Sequence, residues 1–370
     1  MIDVPRGLTG VAVADTTIGD VCGDEGFFHY REHDATVLAG RCSFEQVAAL
    51  VLDGALPPDD HLVRARLGAG RTLPTSLLPA LAAVAATRVD TAIHLRAGLA
   101  LLGGALAPTP LLDLDATARL EQAWAVVAAA PALVAALHRL TGGLEPIAPD
   151  PSAGVAADYI RMVTGTAPDA THARALEQYL ILTIDHGFNA STFTGRVIAS
   201  TGADLGAVVT GALGALCGPL HGGAPSRTLD ALDAIGDASC AEAYVRAETA
   251  AGRRIMGFGH AVYRTVDPRS ELLRRVAVDL GGPVVERAIA VESEIVRVLG
   301  ELKPNRPLYA NVELYGAIVM EACGLPRTML TPTFATSRLV SWCAHALEQA
   351  ADGKLIRPSA RYVGPEPQRG

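Results

Sequence analysis

The sequence predicts an all-α protein, and its composition and periodicity carry that prediction. Of its 370 residues 50% are apolar and only 5% are aromatic, so the apolar mass is mostly alanine, leucine and valine. This mixture favours closely packed helices over a β-sandwich, which prefers aromatic and β-branched side chains. Apolar stretches of helical period recur along the chain and end at proline or glycine. The length predicts about two domains.

The elements are predicted in chain order from these stretches. Residues 1–40, rich in Gly, Asp and Thr, predict irregular structure with short strands. The first clear helix begins at Ser43, where Gln46 completes a capping box, and Gly54 ends it. The Pro-rich segment 145–154 predicts a loop and, by composition alone, a domain boundary. Further helices are predicted over 77–87, 91–102, 116–140, 172–184 and 205–216.

The net charge and the choice of basic residues indicate which classes of ligand the protein can bind. The net charge of −8 argues against a general nucleic-acid binder. Of the 31 basic residues only Lys303 and Lys354 are lysines, which leaves 29 arginines. Arginine presents a planar fork to carboxylates and phosphates, although a biased genome composition would produce the same excess. The charge-rich segment 222–306 is a candidate for a second, more solvated domain.

Cysteine usage and apolar runs predict a cytoplasmic protein. The 6 cysteines are scattered without a C-x-x-C pair, which is typical of reduced thiols. The N-terminus lacks the apolar run of a signal peptide. The apolar stretch 123–137 is shorter than the ~20 residues of a membrane span, and Pro131 interrupts it.

Two glycine-rich segments each carry a histidine. In residues 218–225 His221 precedes a helix predicted over 226–232, and a helix N-terminus favours neutral imidazole. A neutral imidazole can donate a hydrogen bond to a carbonyl. Residues 253–269 surround His260 with glycines and arginines, which suits a phosphate at one end and a carboxylate at the other. The predicted strand that a dinucleotide fold requires does not precede this segment.

A third histidine, His186, lies in the polar segment 185–193, a predicted turn between two apolar helices. The other seven histidines are interpreted as ordinary surface or core residues. No pairing of histidines or cysteines has the spacing of metal ligands, so no metal is expected.

These motifs resemble the citrate synthase family, including its relatives that make 2-methylcitrate. The resemblance implies an almost wholly helical homodimer, or a hexamer of dimers, in which a small domain closes over the active site. It places a large domain at 1–221 and 328–370 and a small, CoA-binding domain at 222–327, so the segment near 145 becomes a loop. The matching stretches run in order from end to end: GLTGVAVADTTI, SFEQVAALVLDGALP, DHGFNASTFTGRVIASTGAD, GPLHGGAPSRTLDAL, MGFGHAVYRTVDPR, NVELYGAIVMEACGLP, TPTFATSRLVSWCAHALEQ and LIRPSARYVGP.

The resemblance implies an acyltransferase that condenses an acyl-CoA, first of all acetyl-CoA, with oxaloacetate and hydrolyses the thioester to citrate and CoA. It implies that His221 donates a hydrogen bond to the thioester oxygen and that His260 protonates the oxaloacetate carbonyl. The family's base is the aspartate of Asn-Val-Asp, and here that position is Glu313. Glutamate is one methylene longer, and a misplacement of ~1 Å can cost ~100-fold in rate.

The substrate sites also follow from the resemblance. His186, Arg269, Arg338 and Arg357 match the oxaloacetate site, with Arg357 reaching into the neighbouring subunit. No permanent cofactor is implied, because coenzyme A enters as a thioester co-substrate. The residues implied for CoA are Ile255, Met256, Gly257, Phe258 and Gly259, with Arg264 as a phosphate partner.

Three alternatives stay open at this point. A 2-methylcitrate synthase would use propionyl-CoA, and one methylene is worth only ~1–3 kcal/mol of discrimination. A related synthase could serve another 2-oxo acid. A catalytically silent relative could bind CoA or oxaloacetate, although silence would leave the retained histidines, carboxylate and arginines without a purpose.

Overall fold

The structure is a computed structural model that describes residues 3–87, 89–219, 221 and 225–367, with the backbone alone for residues 225 and 226. This part of the chain forms sixteen α-helices and one small sheet, so the all-α prediction is confirmed. The strands are β1 (Gly19–Cys22), β2 (Phe27–Tyr30) and β3 (His33–Asp34). The first eight helices are α1 (Ala35–Arg41), α2 (Phe44–Asp53), α3 (His61–Gly70), α4 (Leu78–Ala85), α5 (Thr91–Leu106), α6 (Ala116–Thr141), α7 (Val155–Thr164) and α8 (Ala170–Leu182). The others are α9 (Ala190–Ala199), α10 (Leu205–Leu216), α11 (Pro225–Ile235), α12 (Ala241–Ala250), α13 (Pro268–Leu280), α14 (Pro283–Leu302), α15 (Val312–Ala322) and α16 (Leu330–Asp352).

The N-terminal region contains the short strands that its composition predicts. The three strands pair in the antiparallel order β1-β2-β3, with Gly19 opposite Tyr30. The same region holds α1, a seven-residue helix that the sequence prediction missed. Its N-cap is Asp34, whose side chain accepts hydrogen bonds from the amides of Thr36 and Val37.

Local signals predicted several helix ends well. The Ser43–Gln46 capping box is present, and Gly54 ends α2 with a positive φ of 87°. Helix α5 continues past its predicted end because Gly103 packs directly on α10. A Cβ at Gly103 would lie 2.3 Å from the Cα of Gly206, so glycine here permits a close helix crossing instead of ending the helix.

Helix α6 runs through the centre of the molecule and continues through Pro131. It packs against α3, α4, α5, α7 and α16. Among the described residues it is the one helix long and apolar enough to cross a membrane, and 78% of its most apolar window is buried within the protein. That burial is what a core helix of a large helical domain requires.

Residues 145–154 form a loop, as predicted, and the loop is tied to the core. The buried Arg71 donates to the carbonyls of Asp150 and Ala153 at 3.4 and 3.3 Å and forms an ion pair with Asp158 at 2.7 Å. Helices α6 and α7, on either side of the loop, pack against each other. The loop therefore connects neighbours in one core.

Helices α11 to α15 pack mainly on one another, through the pairs α11 with α15, α12 with α14 and α13 with α15. They contact the rest of the chain chiefly through α8 and α16. The segments that carry the predicted site residues converge at this boundary.

Candidate active site

A cavity of about 930 Å³ lies where these two groups of helices meet. Residues from the turn before α9, the loop before α13, the start of α15 and the middle of α16 line it. Of the predicted residues, those on its wall are His186, His221, Ile255, Met256, Gly257, Phe258, Gly259, His260, Arg269, Glu313 and Arg338.

His221 is held by the first turn of α9. Its Nε2 accepts a hydrogen bond from the backbone amide of Ser191 at 3.3 Å and lies 2.9 Å from the Ser191 hydroxyl. An acceptor role for Nε2 leaves the ring proton on Nδ1. Burial, with the positive charge of Arg338, lowers the pKa of His221 to about 4, so the ring is neutral at physiological pH.

A described contact of His221 comes from a helix other than the one that follows it in the chain. The sequence analysis attributed the neutral ring to the N-terminus of the helix that follows His221. The observed amide partner belongs to α9, which precedes it in the chain. Residues 220 and 222–224 of this glycine-rich motif lie outside the described residues.

His260 faces Arg269 in the cavity. Its Nδ1 accepts hydrogen bonds from the amides of Val262 and Tyr263 at 3.0 and 3.1 Å, so the proton of the neutral ring is on Nε2. Nε2 lies 3.3 Å from Nη2 of Arg269. Two donors meet at this point, and a carbonyl or carboxylate oxygen would satisfy both. Burial, followed by the charge of Arg269, lowers the pKa of His260 to about 4.

Arg269 is held rigidly by Asp267. The guanidinium donates to both carboxylate oxygens of Asp267, at 2.9 and 2.8 Å, and the arginine is only 3% exposed. Asp267 is also the N-cap of α13 and accepts a hydrogen bond from the amide of Val312, at the start of α15. One carboxylate therefore orients an arginine and joins two helix starts.

His186 lies beside His260, with ring centroids 5.2 Å apart. Its Nε2 is 3.0 Å from the hydroxyl of Tyr263. Burial and the charge of Arg269 hold the pKa of His186 well below its usual range. All three histidines of the cavity are therefore neutral near pH 7, and the net positive charge comes from arginines.

Arg338 supplies the second buried guanidinium. Its Nε donates to the carbonyl of Thr183 at 3.0 Å, and its guanidinium stacks over Phe334. Within the described part of the chain, its two terminal amino groups have no hydrogen-bond partner, and the residue lines the cavity. This arrangement presents two parallel donors to a carboxylate.

Glu313 lies in the first turn of α15, after the N-cap Asn311, whose side chain accepts from the Glu313 amide at 3.0 Å. Burial raises the pKa of Glu313 to about 7, while Arg269 opposes that rise. A carboxylate with this pKa is suited to accept a proton near neutral pH.

The loop Ile255–Gly259 is fastened to the segment before α15. The amide of Asn311 donates to the Gly257 carbonyl at 2.9 Å, and the amide of Gly259 donates to the Tyr309 carbonyl at 2.8 Å. Gly257 and Gly259 have φ of 81° and 83°, which non-glycine residues rarely adopt. The loop and Glu313 are thus parts of one connected unit.

Two predicted residues lie elsewhere. Arg264 lines a separate cavity of about 210 Å³ together with Arg306, and this cavity shares Gly259 and His260 with the large one. Arg357 is exposed in the C-terminal tail and has no hydrogen bond or ion pair with the described residues. In one chain, therefore, Arg357 does not reach the cavity.

The sequence analysis missed several residues that shape the site. Ser191 and Tyr263 position histidines, Asp267 orients Arg269, and Phe334 stacks on Arg338. Arg227 also lines the cavity. Asp267 stands two residues before Arg269 in the same motif and could have been found there, whereas the others become evident only through contacts between distant segments.

Taken together, the cavity offers three neutral imidazoles, one carboxylate near its pKa and two buried guanidinium groups. Such a site can bind a small dianion, remove a weakly acidic proton and stabilise the oxyanion that forms.

Comparisons with known proteins agree with this chemistry. Residues 7–359 match the family model described as citrate synthase, C-terminal domain. A 2-methylcitrate synthase of Mycobacterium tuberculosis is 37% identical over 98% of this chain and 91% of its own, and citrate synthase 2 of Bacillus subtilis is 34% identical over 98% and 97%. The citrate synthase of Thermoplasma acidophilum, solved as a ternary complex with carboxymethyl coenzyme A and oxaloacetate, superposes with a TM-score of 0.90 at 28% identity, over 99% of this chain and 98% of that one.

Proposed function

Since the chain belongs to the citrate synthase family, we propose that it condenses acetyl-CoA with oxaloacetate and hydrolyses the resulting thioester to citrate and CoA. The observation that carries the proposal is one cavity in which neutral His221 and His260 stand with Glu313, whose pKa is about 7. Removal of a proton next to a thioester requires a base together with oxyanion donors, because this carbon acid is far weaker than any side-chain acid.

Each catalytic residue has its own step in the proposed condensation. Glu313 removes a proton from the methyl carbon of the thioester, and Nδ1–H of His221 donates to the thioester oxygen as the enol forms. The new carbon nucleophile attacks the ketone carbon of oxaloacetate. The ketone oxygen takes a proton from Nε2 of His260 as the carbon–carbon bond forms. Before the next turnover solvent returns a proton to His260 and removes the proton that Glu313 accepted. Water then cleaves the thioester and releases CoA.

The two substrates meet different parts of the cavity. We assign the carboxylates of oxaloacetate to Arg269 and Arg338, with His186 as a further donor, because both guanidinium groups are buried and oriented. We assign the CoA thioester to the loop Ile255–Gly259. The pair Arg264 and Arg306 in the adjoining cavity provides positive charge for its phosphates.

The proposal includes a second subunit and a closing movement. A homodimer would bring the partner's tail arginine, at position 357, to the oxaloacetate site. The segment 222–327 would close on the substrates as the small domain, consistent with the mutual packing of α11 to α15. A cytoplasmic location and a place in the tricarboxylic acid cycle remain predictions from the sequence.

A second acyl donor has specific support. The relative that is 37% identical is named 2-methylcitrate synthase, so propionyl-CoA is the alternative substrate. The two donors differ by one methylene, and a pocket discriminates such donors by about 10- to 200-fold.

The test is thiol release from acetyl-CoA and from propionyl-CoA, each with and without oxaloacetate. We expect release only when oxaloacetate is present, with one acyl donor preferred. Glu313→Asp keeps a carboxylate and should retain measurable activity, whereas Glu313→Gln should not. Absence of release from both donors would refute the synthase function, and full activity of Glu313→Gln would refute Glu313 as the base.

A further inference from the structure

A small hollow adjoins the large cavity beside Glu313. Its volume is about 10 Å³, close to the space that one water molecule needs. Val312, Glu313 and Phe334 line both the hollow and the large cavity, so the two spaces are neighbours. Helix α8 closes the far side with Tyr179 and Thr183, and α15 contributes Gly316, Ala317 and Met320.

Tyr179 lines this hollow, and among the described residues its hydroxyl has no hydrogen-bond partner. The residue is only 3% exposed. Two other buried tyrosines are paired: the Tyr30 hydroxyl donates to the carbonyl of Ile181 at 2.8 Å, and the Tyr159 hydroxyl lies 2.8 Å from that of Thr333. A hydroxyl that has no protein partner can be satisfied by a water molecule, and the hollow has about the volume that one water molecule needs.

The other polar groups around the hollow indicate which partner is available to the Tyr179 hydroxyl. The Thr183 hydroxyl already donates to the Tyr179 carbonyl at 2.8 Å. The Glu313 carboxylate, like the Tyr179 hydroxyl, has no hydrogen bond within the described part of the chain. Tyr179 and Glu313 both line this hollow of about 10 Å³, so the two residues are near each other. The negative charge of Glu313 adds to burial in raising the pKa of Tyr179.

We propose that Tyr179 is a positioning residue for Glu313, and that its hydroxyl donates to a water molecule in the hollow which donates in turn to the Glu313 carboxylate. This inference rests on the proposed function, in which Glu313 is the base. This water bridge restrains the position of the Glu313 carboxylate, whose side chain is one methylene longer than aspartate, and it stabilises the ionised form of the carboxylate. The water bridge would thereby allow a glutamate to act as the base at a position where the family motif has aspartate.

Other charges act on the same carboxylate and must be kept constant in a test. Arg269 lowers the pKa of Glu313, and Asp267 raises it. From α16, Arg338 acts on Tyr179 and opposes the rise of its pKa. None of these groups changes when the Tyr179 hydroxyl alone is removed.

The first experiment compares the pH profile of kcat/KM for wild type and Tyr179→Phe. Loss of the donor should destabilise the ionised carboxylate, so the acidic limb should move up by about 0.5–1 pH unit. At neutral pH kcat should fall by about tenfold, while KM for oxaloacetate stays within about twofold. Tyr159→Phe is the matched control, because it also removes a buried hydroxyl but one that is bonded to Thr333. That variant should lose stability and keep the wild-type pH profile.

A crystal structure of the wild-type enzyme provides the second measurement and does not depend on the variant folding. Density for a water molecule within about 3.2 Å of both the Tyr179 hydroxyl and the Glu313 carboxylate would support the bridge. An empty hollow, or a pH profile unchanged in folded Tyr179→Phe, would overturn it. Thiol release by the wild type decides the proposed function separately, so the failure of one is distinguishable from the failure of the other.

Discussion

Glu313 combines a longer side chain than the family motif provides with a buried position at the start of α15. Burial raises its pKa to about 7, whereas burial lowers the pKa of His221 and of His260 to about 4. Desolvation disfavours the charged form in both cases, which moves acids and bases in opposite directions. At neutral pH the site therefore holds one group that titrates and two that stay neutral.

This separation predicts the pH dependence of the reaction. The base must be ionised, so kcat/KM should fall as the pH drops below about 7, and the histidines should add no second step until about pH 4–5. The measurement is the rate of thiol release between about pH 5 and 9. Glu313→Gln should lower the rate by about 100- to 10,000-fold above about pH 7, and this difference should narrow at lower pH as the wild-type base is protonated. An acidic limb that persists near pH 7 in Glu313→Gln would contradict the assignment.

The stability of Glu313→Gln serves as the control for folding. The pKa of Glu313 in the folded protein lies above its value in the unfolded chain. The wild-type protein therefore loses stability as the pH rises through about 7, whereas the Glu313→Gln variant does not. The variant should therefore melt higher than wild type at about pH 8 and close to it at about pH 4, where both side chains are neutral.

At the level of structural elements, the site depends most on the loop Ile255–Gly259. Two backbone hydrogen bonds tie it to the segment before α15, so a shift of the loop moves the helix start that carries Glu313. Gly257 needs glycine for two reasons. Its φ is 81°, and a Cβ there would lie 2.8 Å from Cγ2 of Thr228.

Gly257→Ala should therefore weaken acyl-CoA binding. Gly252→Ala is the matched control, because Gly252 has a similar φ of 70° but nothing within 4 Å of the added Cβ. Both variants bear the cost of a left-handed alanine, roughly 1–2 kcal/mol. Steady-state kinetics should show KM for the acyl-CoA raised at least about tenfold by Gly257→Ala alone. Equal effects of the two substitutions would show that strain, and not the contact with Thr228, controls the loop.

In a single chain, one residue predicted for the oxaloacetate site lies away from the cavity. Arg357 lies in the exposed tail after α16, away from the cavity of its own chain. The proposed homodimer would give this arginine a carboxylate to bind in the partner's site. A shared site of this kind can be tested by mixing two inactive variants.

Arg357→Ala lacks the tail arginine and Glu313→Gln lacks the base, so each alone should be nearly inactive. In a mixed dimer one of the two sites has both residues intact. Random reassembly should then restore about a quarter of the wild-type activity, measured as thiol release after the subunits are unfolded and refolded together. Mixing without any regain would indicate that each active site is built from one chain.

Local signals predicted much of the fold. The Ser43 capping box, the glycine after α2 and the bounds of α10 were recognisable because the interactions that define them span a few residues. The predictions were weaker where tertiary packing overrides a local signal. Helix α5 was predicted to end at residue 102, and it passes through Gly103 because α10 lies against it. Helix α6 was predicted to continue through Pro131, and it does so within the core.

The sequence by itself determined the helical class and the family, and it named part of the cavity wall, since motifs and periodicity depend on neighbouring residues. The tertiary structure alone decided the chemical state of those residues. The amide that sets the His221 tautomer comes from 30 residues away, and the carbonyl that orients Arg338 from 155. The pKa of Glu313 and the hollow beside Tyr179 depend on burial by several helices at once. Burial and long-range hydrogen bonds exist only in the folded chain, which is why the reactive state of the site could not be predicted from its motifs.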